Sequence, residues 1–260
     1  MKLMLNGKVV WITGASGGIG AMTAAMLAKR GAVPVLTGRN ERKLKERAAE
    51  IGPGCDYFVL DVRDAEQVRR TADAIASKHG AIDILLNNAG YGEFRRFEDM
   101  PEEAFQAMMD TNYMGIVRCT KAALPYMKKQ GGGHIVNVAS MAGKLASAKS
   151  TAYSATKHAV LGFTNALRME LKPLGISVSA INPGPIDTDF FAIADPDGSY
   201  VQNISWLMLK PEKVCRSIIR VMERKTDEID LPRAAGVGIR LYGLFPRTAD
   251  RLFGKWLNQK

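Results

Sequence analysis

The sequence predicts a three-layer α/β/α domain built on a doubly wound parallel sheet. Three observations predict it. Short apolar runs rich in Val and Ile alternate with amphipathic helical stretches along most of the chain. Turns rich in Gly and Pro punctuate the two kinds of segment. The alternation has the spacing of strands joined by crossover helices, which gives a parallel sheet covered on both faces.

The elements follow in order. Val9-Val10-Trp11-Ile12 reads as a strand that ends at Thr13-Gly14-Ala15-Ser16-Gly17-Gly18-Ile19-Gly20, and small and apolar residues continue at helical spacing to Arg30. Val33 to Thr37 is a second strand, Glu41 to Ile51 a charged amphipathic helix, Tyr57 to Leu60 a third strand and Ala65 to Lys78 a helix. Ile82 to Leu86 is a fourth strand. Pro101 to Lys129 is a long helical stretch, with Pro at a tolerated starting position. Gly131-Gly132-Gly133 is a turn before the strand His134 to Val138. Ala152 to Leu171 is a helix closed by Pro173 and Gly175, and Ile176 to Ile181 a strand ending at Asn182-Pro183-Gly184-Pro185. Asp189 to Lys210 is turn-rich and suits a loop or lid over a site. Pro211 to Arg224 is a helix, and Glu228 to Leu231 a last strand.

The 260 residues suffice for one large core and are short for two. Apolar residues make up 47% and charged residues 24%, which excludes a disordered or fibrous chain. No run of about 18 to 20 apolar residues offers a membrane span. Met1 to Gly7 lacks the apolar core and small-residue end of a secretory signal, so a cytoplasmic protein is expected. Cys55, Cys119 and Cys215 have no paired spacing, and His79, His134 and His158 share no ligand spacing. Neither a disulfide framework nor a metal site is expected.

The glycine turn is the first chemical signal. Ligands of open α/β sheets bind outside the carboxyl ends of the strands. Gly14, Gly18 and Gly20 permit a tight turn and close backbone approach to a pyrophosphate. The following helix offers unpaired N–H groups and its positive dipole end. By itself such a turn also serves as a plain strand-to-helix connection.

In these motifs the chain resembles the short-chain dehydrogenase/reductase superfamily, over roughly residues 6 to 231. Thr13-Gly14-x-x-x-Gly18-x-Gly20 resembles its cofactor turn, around Ser16 and Ile19. Asp61-Val62 resembles its adenine-contact pair, and Asn87-Asn88-Ala89-Gly90 its fourth-strand motif. Asn112, Ser140, Tyr153 and Lys157 fall where its catalytic tetrad sits. Pro183-Gly184-x-Ile186-x-Thr188 resembles its segment beside the nicotinamide. The resemblance implies a Rossmann-like single domain over residues 1–232 that is both dinucleotide-binding and catalytic, with homodimers or homotetramers as the common assembly.

The residue chemistry agrees. Tyr153 and Lys157 are four apart on a predicted helix and share a face. A free tyrosine titrates at about 10, too high for neutral acid/base work, and a neighbouring ammonium favours the phenolate. The spacing Y-x-x-x-K alone is common on helices. Ser140 follows an apolar strand, so it sits at a carboxyl end, where its hydroxyl can donate to a carbonyl oxygen as charge develops. It can equally bond its own backbone in a turn. The resemblance implies that Lys157 bonds the nicotinamide ribose, and that Asn112 marks a helix irregularity holding a water linked to Lys157. Of the pair Asn87 and Asn88, the second is expected to meet the cofactor.

Cofactor choice is read after the second strand. An acidic residue there bonds the ribose 2′-hydroxyl of NAD and repels a 2′-phosphate. Here Leu36-Thr37-Gly38-Arg39-Asn40 carries no carboxylate before Glu41, and Arg39 is a planar, permanent cation suited to phosphate. Ser16 adds a hydroxyl, and Arg42 lies close in sequence. The expected cofactor is NADP(H). The expected reaction moves a hydride between nicotinamide and a ketone, aldehyde or secondary alcohol, with reduction the favoured direction. Phe94, Phe97, Leu145, Phe190, Phe191, Tyr200 and Trp206 are candidates for an apolar substrate pocket. A protein that keeps the fold for cofactor sensing or interaction without turnover is the alternative.

The formal net charge is +10, and from Arg233 onward six Lys/Arg face one acidic residue, Asp250. Residues 233–260 read as a basic extension. Within it Ala249, Leu252, Phe253, Trp256 and Leu257 repeat at helical spacing opposite Arg247, Arg251 and Lys255. Packing on the same domain or a partner subunit, or contact with an anionic membrane surface, both suit this pattern. No basic run interleaved with aromatics marks a nucleic-acid surface.

Overall fold

The computed structural model describes residues 5–195, 198, 202 and 205–244. The amphipathic stretch over 247–258, and Tyr200, lie outside the described residues.

Seven parallel strands form one sheet in the order β3-β2-β1-β4-β5-β6-β7: β1 (Val9–Thr13), β2 (Val33–Gly38), β3 (Asp56–Val59), β4 (Ile84–Asn87), β5 (Gly133–Val138), β6 (Ile176–Pro183) and β7 (Glu228–Leu231). The helices are α1 (Gly18–Ala28), α2 (Glu41–Ile51), α3 (Ala65–His79), α4 (Glu102–Met109), α5 (Gly115–Lys129), α6 (Thr151–Leu171), α7 (Phe190–Ala194), α8 (Pro211–Arg224) and α9 (Arg233–Leu244).

Strand periodicity builds the two cores. Val10 and Ile12 of β1 face a cluster with Leu36, Leu86, Val136 and Ile181, covered by α1 and by Ile218, Ile219 and Met222 of α8. Val9 and Trp11 face the other cluster, with Val35, Leu85, Ile135 and Val178, covered by α3 and by Cys119, Ala123 and Met127 of α5. Successive strand residues point to opposite faces, so a strand buried on both sides must be apolar throughout. Burying each such side chain stabilises by about 1.5–3 kcal/mol.

Helix starts are fixed by side chains. Asn40 accepts the Lys43 N–H at 3.0 Å, and Asp64 accepts those of Glu66 and Gln67 at 2.9 Å. Gly80, at φ 78°, closes α3 in the left-handed region.

Two differences from the sequence reading concern the site. The long helix predicted over 101–129 is two helices joined by a π turn, Asp110–Met114, with Asn112 inside it. The stretch expected as a loop, 189–210, contains the short helix α7 and a 3₁₀ turn, Ser205–Leu207, among its described residues. The basic extension begins as a helix, α9, that packs back on β7, one of the placements its sequence left open.

Strand order reverses between β1 and β4, so consecutive crossovers leave on opposite sides and a crevice opens at the carboxyl ends of these strands.

Candidate active site

The glycine turn fills one side of that crevice. Gly14 has φ +66° and Gly18 φ +54°, a region that favours glycine. A Cβ on Gly14 would lie 2.8 Å from the Ala89 Cα, and one on Gly20 would lie 2.6 Å from the Gly14 carbonyl oxygen. Around Gly17 and Gly18 the same test finds open space within 4 Å. The turn is therefore tight on its inner side and open on its outer side, where α1 begins without a side-chain cap or an acidic residue in its first turn. Ile19 anchors the helix start in the core. This is a cradle that fits the pyrophosphate of a dinucleotide.

Thr13 ties the two strand ends together. Its hydroxyl accepts the N–H groups of both Asn88 and Ala89 at 3.0 Å. The Asn88 side-chain amide donates to the carbonyls of Thr13 and Gly14 at 3.0 and 3.1 Å. Asn88 thus shapes the turn through its amide nitrogen. The sequence reading did not single out Thr13 for this role, although a hydroxyl ending a buried strand was its only signal. Asn87 faces away, donating to Asn137 at 2.8 Å inside the sheet.

The adenosine end follows β2 and β3. An open depression is lined by Ser16, Arg39, Asn40 and Glu41. Gly38 leaves room beside the Ser16 hydroxyl, to which a Cβ there would come within 3.5 Å. Asp61 is gripped by Arg63, whose Nη2 lies 2.7 Å and Nε 3.1 Å from its carboxylate. That hydrogen bonding, with a further contribution from Arg39, holds the Asp61 carboxyl below its usual range. Val62 is buried under Gly115, where a Cβ would lie 2.7 Å from it.

At the other end of the crevice the π turn buries Asn112 completely. Its amide oxygen accepts the Tyr91 N–H at 2.9 Å, and its nitrogen donates to the Tyr91 carbonyl at 2.8 Å and to Thr156 Oγ1 at 3.1 Å. Thr156 in turn donates to the Tyr153 carbonyl at 2.8 Å. The segment after β4 is so locked to the helix carrying Tyr153. π turns cluster at functional sites because they re-aim a few side chains. Gly90 lies here too, its Cβ position 3.0 Å from Asn112 Oδ1 and 3.8 Å from Lys157 Nζ.

Tyr153 and Lys157 share the inner face of α6. Lys157 Nζ lies 5.6 Å from the Tyr153 ring centroid and donates to the Val138 carbonyl at 3.0 Å. Lys157 is only 6% exposed, and burial pulls its pKa down to about 8. Ser140 is the residue after β5 and Ala139. Its hydroxyl accepts the Ala142 N–H at 3.1 Å and reaches the Pro183 carbonyl only at 3.4 Å. The second contact is weak, so this hydroxyl is lightly held. The turn it starts, Met141–Gly143, rests on α6: a Cβ on Gly143 would lie 2.6 Å from the Lys157 carbonyl oxygen.

β6 ends the crevice at Pro183. Gly184 donates its N–H to the Leu231 carbonyl at 2.7 Å, Ile186 bridges Leu209, and Thr188 accepts the Phe190 N–H at 3.4 Å. Beyond it, aromatic rings surround Tyr153. Phe94 meets it edge-on with centroids 5.7 Å apart, and Phe190 lies at 5.8 Å. Phe191 completes the group, and the Phe94 N–H donates to the Ala194 carbonyl at 2.9 Å. Phe97 and Trp206, also expected in the pocket, are 72% and 69% exposed, and the Phe97 ring packs edge-on against Phe105.

Comparison with known proteins agrees with this geometry. The family model described as short chain dehydrogenase matches residues 8–197. A protein named an uncharacterized oxidoreductase from Staphylococcus saprophyticus is 41% identical over 188 residues, covering 71% of this chain and 80% of that one. Another, the uncharacterized oxidoreductase YxnA of Bacillus subtilis, is 34% identical over 261 residues, covering 96% of this chain and 72% of its own length. The crystal structure of a short-chain dehydrogenase from Streptomyces avermitilis superposes with a TM-score of 0.82 at 27% identity, covering 95% of this chain and 96% of that one. The chain belongs to the short-chain dehydrogenase family and is an oxidoreductase of the kind that works with a nicotinamide cofactor, NAD or NADP.

Proposed function

We propose that the chain is an NADP(H)-dependent carbonyl reductase for apolar ketones or aldehydes, able to run in reverse on the secondary or primary alcohol, with Tyr153 as its acid/base. The observation that carries the reading is the pairing of Tyr153 with a buried ammonium, Lys157, 5.6 Å from its ring centroid.

The glycine turn, with Gly14, Gly18 and Gly20, would hold the pyrophosphate of the cofactor, which would supply the hydride for the carbonyl carbon. The chain's residues handle the oxygen. The Ser140 hydroxyl is held by one firm bond, from Ala142, and is free to turn its proton toward a carbonyl oxygen. That donor stabilises the negative charge growing on the oxygen as the C–H bond forms. The Tyr153 hydroxyl gives its proton to the same oxygen, which completes the alcohol and leaves a phenolate. The Lys157 ammonium stabilises that phenolate by charge proximity. Reprotonation from solvent returns the tyrosine to its starting form. The Asn112 bonds to Tyr91 and Thr156 keep α6 in place during the cycle.

Preference for NADP(H) rests on Arg39 and Ser16 in the depression that they line with Asn40 and Glu41, and on the lack of an acidic residue directly after β2, at Gly38 or Arg39. A 2′-phosphate there meets a guanidinium and a hydroxyl, while a carboxylate would repel it. The preference for apolar substrates rests on Phe94, Phe190 and Phe191 around Tyr153. Rings of this kind bind apolar or aromatic groups by area burial and edge-to-face contact.

Titration of intrinsic tryptophan and nucleotide fluorescence tests the cofactor reading. Tighter binding of NADPH than NADH is expected. Equal binding of both removes the NADP(H) preference, and binding of neither returns the chain to a non-catalytic interaction role.

A further inference from the structure

A buried charged cluster lies behind the Ser140 turn, outside the groups that handle the substrate. Lys144, the residue that ends the turn, places Nζ 2.6 Å from Asp230 Oδ1 and also pairs with Glu228. Asn182, one residue before Pro183, donates its amide to Glu228 and to Asp230, both at 2.8 Å. Only 20% of the Lys144 side chain and 8% of the Asp230 side chain are exposed. Asp230 and Glu228 belong to β7, the edge strand, and Gly184 hangs from the same strand through the Leu231 carbonyl. On its far side the Asp230 carboxylate touches α9: a Cβ on Gly236 would lie 2.5 Å from Oδ2.

The Ser140 turn also carries bonds of its own. Its internal bonds run Gly143 N–H to the Ser140 carbonyl and Lys144 and Leu145 N–H to the Met141 carbonyl, all 2.9 to 3.0 Å. These bonds make the turn rigid within itself and leave its orientation to its neighbours. One neighbour is α6 beneath Gly143. A second is β6, whose Ile181 carbonyl accepts the Ala139 N–H at 2.9 Å and whose Pro183 carbonyl the Ser140 hydroxyl reaches at 3.4 Å, and the third is the ion pair at Lys144. A largely buried pair is costly to desolvate, and breaking it by removing one partner leaves a charge without compensation.

We propose that Lys144 and Asp230 are positioning residues for Ser140: their ion pair sets the orientation of the Ser140 turn against β7, and the seating of α9 at Gly236 sets Asp230. The inference rests on the reading that Ser140 stabilises the reacting oxygen. It makes the C-terminal helix a remote determinant of turnover.

The test is a double-mutant cycle with a structural readout. NADPH oxidation is followed with the best-used member of a panel of aromatic and aliphatic aldehydes and ketones, at high enzyme concentration. Lys144→Met is expected to lower kcat about 10- to 100-fold, the loss that follows a misplaced group. The Kd for NADPH should stay within about twofold, since the adenosine end is untouched. In the Ser140→Ala background the same change should cost less than about twofold, because a residue acting through Ser140 has nothing left to position. Amide hydrogen exchange of 140–145 should rise in Lys144→Met and in Gly236→Ala, with exchange in α1 and α3 unchanged. Gly236→Ala is informative because alanine favours a helix, so a rise in exchange opposes the intrinsic propensity.

A large loss from Ser140→Ala with no loss from Lys144→Met overturns the positioning role and leaves the function standing. Full additivity of the two, or unchanged exchange over 140–145, also overturns it. Full activity in Ser140→Ala, or no turnover of any panel member by the unaltered chain, overturns the functional reading and the inference with it.

Discussion

The ammonium of Lys157 sits 5.6 Å from the centroid of the Tyr153 ring while its proton is shared with the Val138 carbonyl at 3.0 Å. A cation in that place serves the phenolate and is costly for the fold, since it has left water for a site only 6% exposed.

That tension gives a stability prediction. Burial lowers the Lys157 pKa from 10.5 to about 8 in the folded chain, so between these values the unfolded chain holds more protons. Stability from this group therefore rises with pH through that window and is lowest below it. Lys157→Met should abolish that rise and stabilise the protein at neutral pH by roughly 3 kcal/mol, while losing turnover. Urea unfolding of both proteins at several pH values measures it.

The same group sets a limit on activity. Above about pH 8 Lys157 becomes neutral and stops supporting the Tyr153 phenolate. The kcat/KM for carbonyl reduction, which reports the free enzyme, should fall as pH rises through that value. A profile that stays flat from about one unit below to about one unit above that pKa would contradict it.

Tyr153→Phe keeps the ring among Phe94 and Phe190 and removes the proton. The expected loss in kcat is about 10²- to 10⁴-fold, the usual range for one acid/base group. Nucleotide affinity, read by fluorescence titration, should hardly move.

Arg39→Ala tests the cofactor end. A hydrogen bond to a charged group contributes about 1.5–3 kcal/mol, so the Kd for NADPH should rise about 10- to 100-fold. The Kd for NADH should change little. Equal weakening of both nucleotides would show that Arg39 acts on the shared part of the dinucleotide.

Much of this architecture was legible in the sequence because its signals are local. The strand Val9–Thr13, the glycines after it and the helix that follows are one contiguous pattern, and Tyr153 and Lys157 share a face by helical spacing alone. Asparagine inside a helical stretch marked Asn112, and there the helix widens into a π turn. What stayed hidden depends on distant partners. Lys144 looks like a surface lysine until β7 brings Asp230 to it from 86 positions away. The bonds by which the Asn88 amide holds the carbonyls of Thr13 and Gly14 likewise come from residues some 75 positions earlier. Helix α7 escaped notice because Phe190–Ala194 is too short to show a period and has no capping side chain. Among the pocket candidates, only position on the fold separates Phe94 from the exposed Phe97.

The hydroxyl of Thr13 has a consequence for how a nucleotide arrives. With Asn88 and Ala89 fastened to it, the shape of the cradle is held by bonds within the chain itself. Ordering a loop on binding costs entropy that subtracts from affinity, and here little of that remains to be spent. Association should then run as a single encounter, with a rate linear in nucleotide concentration and sensitive to salt, and without the plateau that a slow rearrangement imposes. Thr13→Val would unfasten both strands' ends at once and convert a rigid receptor into one that must fold around its guest.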